Sequence, residues 1–526
     1  MSHALVNLRN QFLSTMSKGD IELRAVSDRD VTSSMPTHYS FSSYDDALTL
    51  QRLGKRPRLN RSFGFMSILG ISCTALCPWE SVLLTSVPTL LVGGAARVVW
   101  ALVANWIGIL SVYATLAELA SIAPTADHWV SMLAPSSTTT FLAYLTAWLT
   151  AIAWQAIATS VGYLIATLLQ GIIVLAQPSY VPQAWQTVLL IWAISLFCVM
   201  INSISSRILS KFEGFILIFH LVGFFGVLIP LVYLAPHNNA SDVFTTFFYN
   251  GDWPSQGLVF LVGFPTMAIS LLGADCAVHM SEEIQSAPVV MPRALIYIIL
   301  INGALAFAIV IALLFCTTDL EAAVAAADTL FYPSLYIFKL ALNSTAGAIV
   351  LASIVLILSV AASVGIYASA SRMLWSFSRI RDFHFTNTWN SLPVNAIFVT
   401  YAITILLSLV VLGSAVALQA LLSLVNAALF TSYTLVCGLL LWRRCTGAIR
   451  PYGPWKLPEP LGVANNIFTC LYSLFTLFWS FWPQVNHPTP STFNWSAVVF
   501  GSLVSLSILW YFIRVKHYFH GPIKEI

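Results

Sequence analysis

Twelve apolar runs most constrain the fold of this chain of 526 residues. Roughly 20 apolar residues, each adding about 1.5 Å to a helix, cross the hydrocarbon core of a bilayer. Apolar residues make up 58% of the chain and charged residues 9%, too few to cover a large domain with a watery surface. The sequence therefore predicts an all-α integral membrane protein of twelve transmembrane helices. These spans are predicted at 65–91, 98–120, 141–175, 186–203, 212–235, 257–279, 294–316, 346–370, 394–412, 417–441, 464–483 and 495–514.

The positions of the basic residues test this division, because cytoplasmic loops normally hold an excess of Lys and Arg. With a cytoplasmic N-terminus, Arg97 and Lys339 are the exceptions among the 24 Lys and Arg residues, and all the others fall on the cytoplasmic side. The N-glycosylation triplets that begin at Asn239, Asn343 and Asn494 then lie outside, where glycan can be added. Both termini are therefore expected in the cytoplasm. The plasma membrane is the expected location, with a vacuolar membrane left open.

Three regions follow from the polarity of the chain. Residues 1–60 are polar, without apolar periodicity, and predict a disordered cytoplasmic tail. Residues 61–516 form the twelve-helix domain, and residues 517–526 are a short cytoplasmic C-terminus. The eight cysteines show no framework spacing. We therefore expect no disulfide scaffold, no metal site and no cofactor.

Two of the predicted helices are interrupted, which points to a transport function. Pro78 interrupts span one, and Gly263, Pro265 and Gly273 interrupt span six just before Asp275. Proline removes a backbone donor and frees carbonyls in the preceding turn. In lipid, such groups are tolerated only where they line a cavity or bind something. Interrupted helices five spans apart predict two inverted five-helix repeats that hold a substrate at the breaks, followed by two C-terminal helices.

Five stretches carry a resemblance to a known family: "LAELASIAPTADHWVSMLAP" (116–135), "SKFEGFILIFHLVGFFGVLIPLVYLAP" (210–236), "GADCAVHMSEEIQSAPVVMPRA" (273–294), "SASRMLWSFSRIRDF" (369–383) and "RPYGPWKL" (450–457). Together they resemble the fungal amino acid and choline permeases of the amino acid-polyamine-organocation superfamily. The resemblance implies a leucine-transporter-like fold. It also implies secondary uptake of amino acids, choline, polyamines or 4-aminobutyrate, usually driven by protons. The chain departs from the family pattern at Asp127 and His128 and at Pro78.

The two breaks are the expected substrate site. The first break would present amide donors to a substrate carboxylate, and the second would present carbonyls to an ammonium group. Aromatic residues of span three, Trp154 among them, could stack on that ammonium group or could be ordinary packing residues. The residues expected to bind substrate are Cys73, Thr74, Ala75, Leu76, Cys77, Leu272, Gly273, Ala274, Asp275 and Trp154.

His220 and Asp275 are the candidates for proton coupling. A histidine in the middle of span five titrates near neutrality, at a position where some relatives carry a lysine in place of a sodium ion. Its alternative role is that of a neutral imidazole bonded to a carbonyl of span one. Asp275 could bind and release a proton in a buried site, or could act as a structural partner that fixes the broken helix.

Three glutamates are expected at the cytoplasmic ends of the spans. Glu282 and Glu283, together with His279, would mark the water boundary after span six and gate the cytoplasmic side. Glu118 would anchor a cytoplasmic loop in preference to contacting substrate.

Other classes of function fit less well. "HMSEE" approaches an inverted zinc-peptidase motif, but Glu283 stands where a second histidine is needed, so no enzyme is expected. A nutrient-sensing receptor on the same scaffold remains the alternative, as does a choline or polyamine permease. An ion channel is disfavoured because no charged pore ring is evident. The expected partners are a small amine or amino acid, the coupled proton and the lipid bilayer, without nucleic acid.

Overall fold

A computed structural model describes residues 59, 61–204, 206–247, 252–379, 392–413, 415–447, 452–490, 493–517 and 519. Apart from Leu59, the predicted tail lies outside these residues, as does most of the predicted C-terminal segment. Within the described residues, eleven helices are long and apolar enough to cross a membrane. A shorter apolar helix, Gln256–Leu271, stands at the sixth position in chain order. The predicted count of twelve spans is confirmed by these helices.

We number the spans in chain order and use these names throughout. The first six are Phe65–Thr85, Gly93–Ile122, Thr139–Ala176, Ala184–Ile204, Leu209–Leu234 and Gln256–Leu271. The last six are Ala287–Cys316, Thr345–Ser378, Val394–Gly413, Leu421–Cys445, Glu459–Ser480 and Ser496–Ile513. Shorter helices in the connections are Asp127–Leu133, Ala240–Phe244, Leu320–Ala325, Ala327–Leu330 and Pro333–Leu342.

Helices five positions apart in the chain pack against each other. Span two packs on span seven, span three on span eight, and span four on span nine. This pairing is what two five-helix repeats related by a two-fold axis produce. The architecture is therefore the predicted leucine-transporter-like fold, with spans eleven and twelve packed outside the repeats.

Burial separates the central helices from those that face lipid. In span one, 89% of the apolar window is buried, whereas in span twelve only 17% is. Spans two, three, eight and ten are also mostly enclosed, and spans five and nine are mostly exposed. Since both faces of span one are covered by protein, it can carry polar groups that lipid would not tolerate.

Both ends of the described chain lie at one end of the helix bundle, since Leu59 and Phe519 line the same cavity. We call this end the terminal face and the other end the opposite face. A chain that crosses the membrane an even number of times must have both ends on the same side. The loop that holds Asn494 belongs to the opposite face, because it joins spans eleven and twelve.

Gly70 sets the distance between spans one and five. A β-carbon at position 70 would lie 2.6 Å from the carbonyl oxygen of Glu213, and backbone atoms cannot move aside cheaply. A β-carbon added to Gly214, the residue after Glu213 in span five, would meet no atom within 4 Å.

We predict that Gly70→Ala lowers the stability of the purified protein by about 1–3 kcal/mol, because it forces two packed backbones apart. Gly214→Ala is the matched control and should be neutral or stabilising by up to about 1 kcal/mol, since alanine favours a helix. Thermal unfolding in detergent measures both variants. Equal melting temperatures for the two would show that the close approach at Gly70 is not required.

Candidate functional site

Span one breaks at Cys77, between the helices Phe65–Leu76 and Pro78–Thr85. Cys77 has a left-handed backbone, with φ 34° and ψ 53°. Proline disfavours a right-handed helical conformation in the residue before it, and its own ring fits the first position of the next helix. Pro78 is thus the local cause of the break.

The helix of span six ends at Leu271. A single helical turn, Cys276–His279, follows the break. Gly273 has φ 120°, a conformation that side chains rarely allow. The hydroxyl of Tyr113 in span two accepts hydrogen bonds from the backbone N–H groups of Gly273 and Ala274, each at 3.1 Å. One phenol therefore holds the amides that the break frees.

Asp275 lies directly after this break and is buried, with 4% of its surface exposed. Its Oδ1 atom accepts a long hydrogen bond of 3.4 Å from the Tyr113 hydroxyl. Its Oδ2 atom lies 3.5 Å from Nε2 of His279, one turn later. The Tyr433 hydroxyl of span ten lies 3.4 Å from that of Tyr113. These contacts place a carboxylate beside two phenols and an imidazole.

Two cavities lie at opposite ends of the bundle. The terminal cavity encloses about 1100 Å³, part of it open to solvent, and Asp275, His279 and Tyr433 are among its lining residues. The opposite cavity encloses about 1030 Å³ and is lined by residues that include Thr85 and Asn494. At the opposite cavity, the Thr85 hydroxyl lies 2.8 Å from that of Ser270, which joins spans one and six.

The hydrogen-bonding groups at both breaks differ from those predicted. The amides of Cys73 to Leu76 lie within the first helix, and Cys77 N–H donates to Cys73 O at 3.1 Å, so this segment does not offer free amide donors. The unpaired N–H groups of a helix belong to its first turn, which here follows Pro78.

At the second break, the carbonyls of Gly273 and Asp275 accept hydrogen bonds from the next turn. The expectation that this segment offers its carbonyls to an ammonium group is therefore wrong for Asp275, whose carbonyl accepts two hydrogen bonds. It stays a prediction for Gly273, whose carbonyl accepts one and keeps a second lone pair. The Asp275 carboxylate is the charged group that this break brings to the lining of the terminal cavity.

His220 lies between spans one, five and seven and is buried. Its Nδ1 atom is 2.8 Å from Oε1 of Glu80, and its Nε2 atom is 3.1 Å from Oδ1 of Asn302. Asn302 donates through Nδ2 to the carbonyl of Cys73 at 3.3 Å. The alternative of a histidine bonded directly to a span-one carbonyl is thus wrong, because Asn302 stands between them.

Glu283 is fully buried, with 0% of its surface exposed, and so does not mark a water boundary. It accepts a hydrogen bond of 2.9 Å from Nε of Arg372 in span eight. Arg372 also donates to Oδ1 of Asn202 at 3.2 Å. This ion pair joins spans four, six and eight near the terminal face. Glu282 lines the terminal cavity with only 8% of its surface exposed.

Glu118 anchors a loop, which is the role expected from its sequence motif. Its two oxygens accept hydrogen bonds of 2.7 and 2.8 Å from Nη2 of Arg444, and Oε1 accepts a third from the N–H of Leu457 at 2.9 Å. Arg444 also bonds Asn466 and the Tyr452 hydroxyl. The loop before span eleven is thereby fastened to the end of span two.

Trp154 packs its ring edge-to-face on His279, with 5.3 Å between the ring centroids. It lies outside the lining of both cavities, so its contact with a substrate would pass through His279. His220 and residues 73–77 also lie outside both linings. Of the predicted site residues, the structure brings Asp275 and Glu282 to the terminal cavity, and it places His220 in a separate buried cluster.

The three predicted glycosylation residues differ in access. Asn239 and Asn343 are exposed. Asn494 is half-buried, and its amide donates to the carbonyls of Ser480 and Trp482 at 2.9 and 3.1 Å. We therefore do not expect glycan on Asn494, because its amide nitrogen is hydrogen-bonded to backbone carbonyls of the loop.

Sequence reasoning did not identify Tyr113, Tyr433, Asn302 or Glu80 as site residues. A tyrosine or an asparagine within an apolar span is a weak signal, although a polar side chain buried in lipid normally has a partner. Glu80 follows Pro78 by two residues, and its charge inside the first span was the signal available in the sequence.

Comparison with known proteins gives a consistent result over most of the chain. A sequence model of the family described as amino acid permease matches residues 63–503. A choline transporter of Saccharomyces cerevisiae is 27% identical over 476 residues, which cover 88% of this chain and 83% of the relative. A putative polyamine transporter of Candida albicans is 25% identical, with 92% and 89% covered. Amino-acid permease 2 of Neurospora crassa is 24% identical, with 95% and 93% covered.

We predict that Glu283→Gln destabilises the protein by about 3–5 kcal/mol, because Arg372 would keep a buried positive charge without its carboxylate. The exposed Glu321 on the opposite face provides the control, since Glu321→Gln should change stability by less than about 0.5 kcal/mol. Replacing Glu283 and Arg372 together with leucine should recover much of the loss. Denaturant unfolding in detergent measures all three, and equal unfolding midpoints for the two Gln variants would contradict the ion pair's role.

Proposed function

Because the chain belongs to the amino acid permease family, we propose that it carries small substrates with a positively charged nitrogen across the membrane, coupled to protons. The family membership confirms the resemblance found in the sequence. The chain is a multi-pass membrane transporter and not an enzyme, as are the relatives that it matches. The chemical class of the substrate and the coupling ion are the parts proposed here.

The charge of the terminal cavity carries the substrate proposal. Asp275 and Glu282 contribute two carboxylates to its lining. The basic side chains among the described lining residues are Arg372, which is paired with Glu283, and His279, which lies 3.5 Å from Asp275. The rings of Trp129 and Tyr433 also face the cavity. Carboxylates and aromatic faces together suit an ammonium group, primary or quaternary.

A zwitterionic amino acid would need a second group for its carboxylate. Arg372 lines the cavity, but Glu283 balances its positive charge, and the amides at the second break are bound by Tyr113. The lining therefore favours choline-like or polyamine-like cations, and amino acids are the second candidate. The names of the relatives from Saccharomyces cerevisiae and Candida albicans, a choline and a putative polyamine transporter, agree with this preference.

The two cavities support alternating access. Asp275 lines the terminal cavity, Thr85 lines the opposite cavity, and the Thr85 hydroxyl bonds that of Ser270. Movement of the half-helices about Cys77 and Gly273 would open one cavity and close the other. We place the terminal face in the cytoplasm, because it carries Arg372 and Arg444, and we take the plasma membrane as the location.

Protons are proposed as the coupling ion on the strength of two buried groups, His220 and Asp275. Both can change charge inside the membrane, and intramembrane ionisable residues commonly serve proton or ion pathways. A receptor that binds the same substrates without transport would keep the terminal cavity and would show neither uptake nor proton flux.

We predict that uptake by this protein, expressed in cells without permeases of their own, is inhibited by choline and spermidine more strongly than by neutral amino acids.

Asp275→Asn should reduce uptake at least about tenfold, because it removes the counter-charge of a partly desolvated cation. Asp252→Asn, in an exposed loop on the opposite face, is the matched control and should retain uptake.

Two outcomes would contradict this prediction. Competition by neutral amino acids alone would show that the carboxylates do not select the substrate. Full uptake by Asp275→Asn would show that this side chain is not the counter-charge.

A further inference from the structure

We propose that Glu80 and His220 together hold the coupled proton, and that Asn302 links this pair to the break in span one. The proposal rests on the proton coupling proposed above and names its site. Glu80 lies on the second half of span one, His220 on span five and Asn302 on span seven. Glu80 and His220 each have 1% of their side chain exposed, in the most enclosed part of the fold.

The orientation of Asn302 fixes one proton of the imidazole. Its Nδ2 donates to the carbonyl of Cys73, which can only accept, so Oδ1 must face His220. An amide oxygen also can only accept, and Nε2 of His220 must therefore carry a hydrogen. Turning the amide over would set two oxygens against each other at Cys73, so the reverse orientation is excluded.

The contact with Glu80 then requires one more proton. Nδ1 of His220 and Oε1 of Glu80 are 2.8 Å apart, a distance that needs a hydrogen between them. Either the imidazole is charged and donates to a carboxylate, or a protonated carboxyl donates to a neutral imidazole. The pair is neutral overall in both cases, and it holds a single exchangeable proton.

Loss of that proton would break the pair. A lone pair on Nδ1 would face a carboxylate at hydrogen-bond distance, and Glu80 would keep a negative charge without a counter-charge. Its second oxygen, Oε2, already has no hydrogen-bond partner in the described part of the chain. A buried charge without a partner is strongly disfavoured, so the two side chains would separate or admit water.

Neighbouring groups do not supply another counter-charge within the described residues. On span one, Cys73 and Cys77 carry free thiols, which supply no positive charge. On span five, Glu213 lies two turns from His220 and accepts a hydrogen bond from Thr74 at 2.9 Å. Span seven contributes the neutral Asn302, and Trp79 and Phe224 add aromatic rings. The exchangeable proton therefore decides the net charge of the pair.

The cluster touches both halves of span one across the break. Glu80 belongs to the half that begins at Pro78, and the Cys73 carbonyl belongs to the half that ends at Leu76. With the proton bound, both halves are tied to spans five and seven. After its release to water, the half that carries Glu80 is free to move about Cys77. One proton enters the pair and the same proton leaves, and no other bond is made or broken.

The protonation can be tested without a substrate by nitrogen NMR of the full chain in detergent, labelled with ¹⁵N-histidine. The His220 signals are those lost in His220→Gln or shifted in Glu80→Gln, so either variant suffices to assign them. We expect a protonated Nε2 and a hydrogen-bonded Nδ1 that moves when Glu80 is replaced. An unprotonated Nε2 would overturn the proposal.

Transport in proteoliposomes tests the coupling itself, with labelled choline and labelled spermidine as the probes. Glu80→Gln and His220→Gln should keep exchange of label without a pH gradient and lose accumulation driven by a pH gradient. Glu321→Gln and His487→Gln, both exposed, are the matched controls and should keep both activities. Unaltered gradient-driven accumulation in Glu80→Gln would overturn this proposal. Absence of gradient-driven accumulation in the unmodified protein would instead overturn the proton coupling on which it rests.

Discussion

Every backbone N–H and C=O inside a membrane needs a partner, and this requirement shapes the centre of the molecule. Two helices are broken there, at Cys77 and at Gly273, and both breaks free polar groups in the most buried part of the fold. A hydroxyl from span two bonds the amides at the second break, and an amide from span seven adds a second hydrogen bond to the Cys73 carbonyl beside the first. The breaks are thus held by side chains of neighbouring helices, which can be exchanged for other partners when the helices move.

Two groups of buried charges have different surroundings. Glu118 with Arg444, and Glu283 with Arg372, are ion pairs of a carboxylate with an arginine that fasten helix ends and loops near the terminal face. Asp275, and Glu80 with His220, lie next to the two breaks, and a fixed basic residue pairs with neither carboxylate in the described residues. Fixed pairs suit an unchanging scaffold, whereas groups without a permanent counter-charge suit the binding and release of a cation or a proton.

Hydropathy and charge were sufficient to predict the twelve spans, because each helix must by itself satisfy the thickness of the bilayer. The break in span one was also predictable, since Pro78 acts on its own neighbours. The pairs of residues that meet at the site were not predictable from the sequence. Tyr113 meets Gly273 and Glu80 meets His220 across more than a hundred residues of sequence, and only the packing of the spans brings them together. The local sequence likewise gave no sign that Glu283 would be buried, because its partner Arg372 lies two spans further on.

We propose above all that this fold converts a proton gradient into the accumulation of a small cation. Purified protein in proteoliposomes, given labelled choline or spermidine and an imposed pH gradient, tests it most directly. We predict that label accumulates above its equilibrium ratio while the gradient lasts, and that a proton uncoupler abolishes this accumulation. Uptake that only equilibrates, and that is indifferent to both the gradient and the uncoupler, would contradict the account.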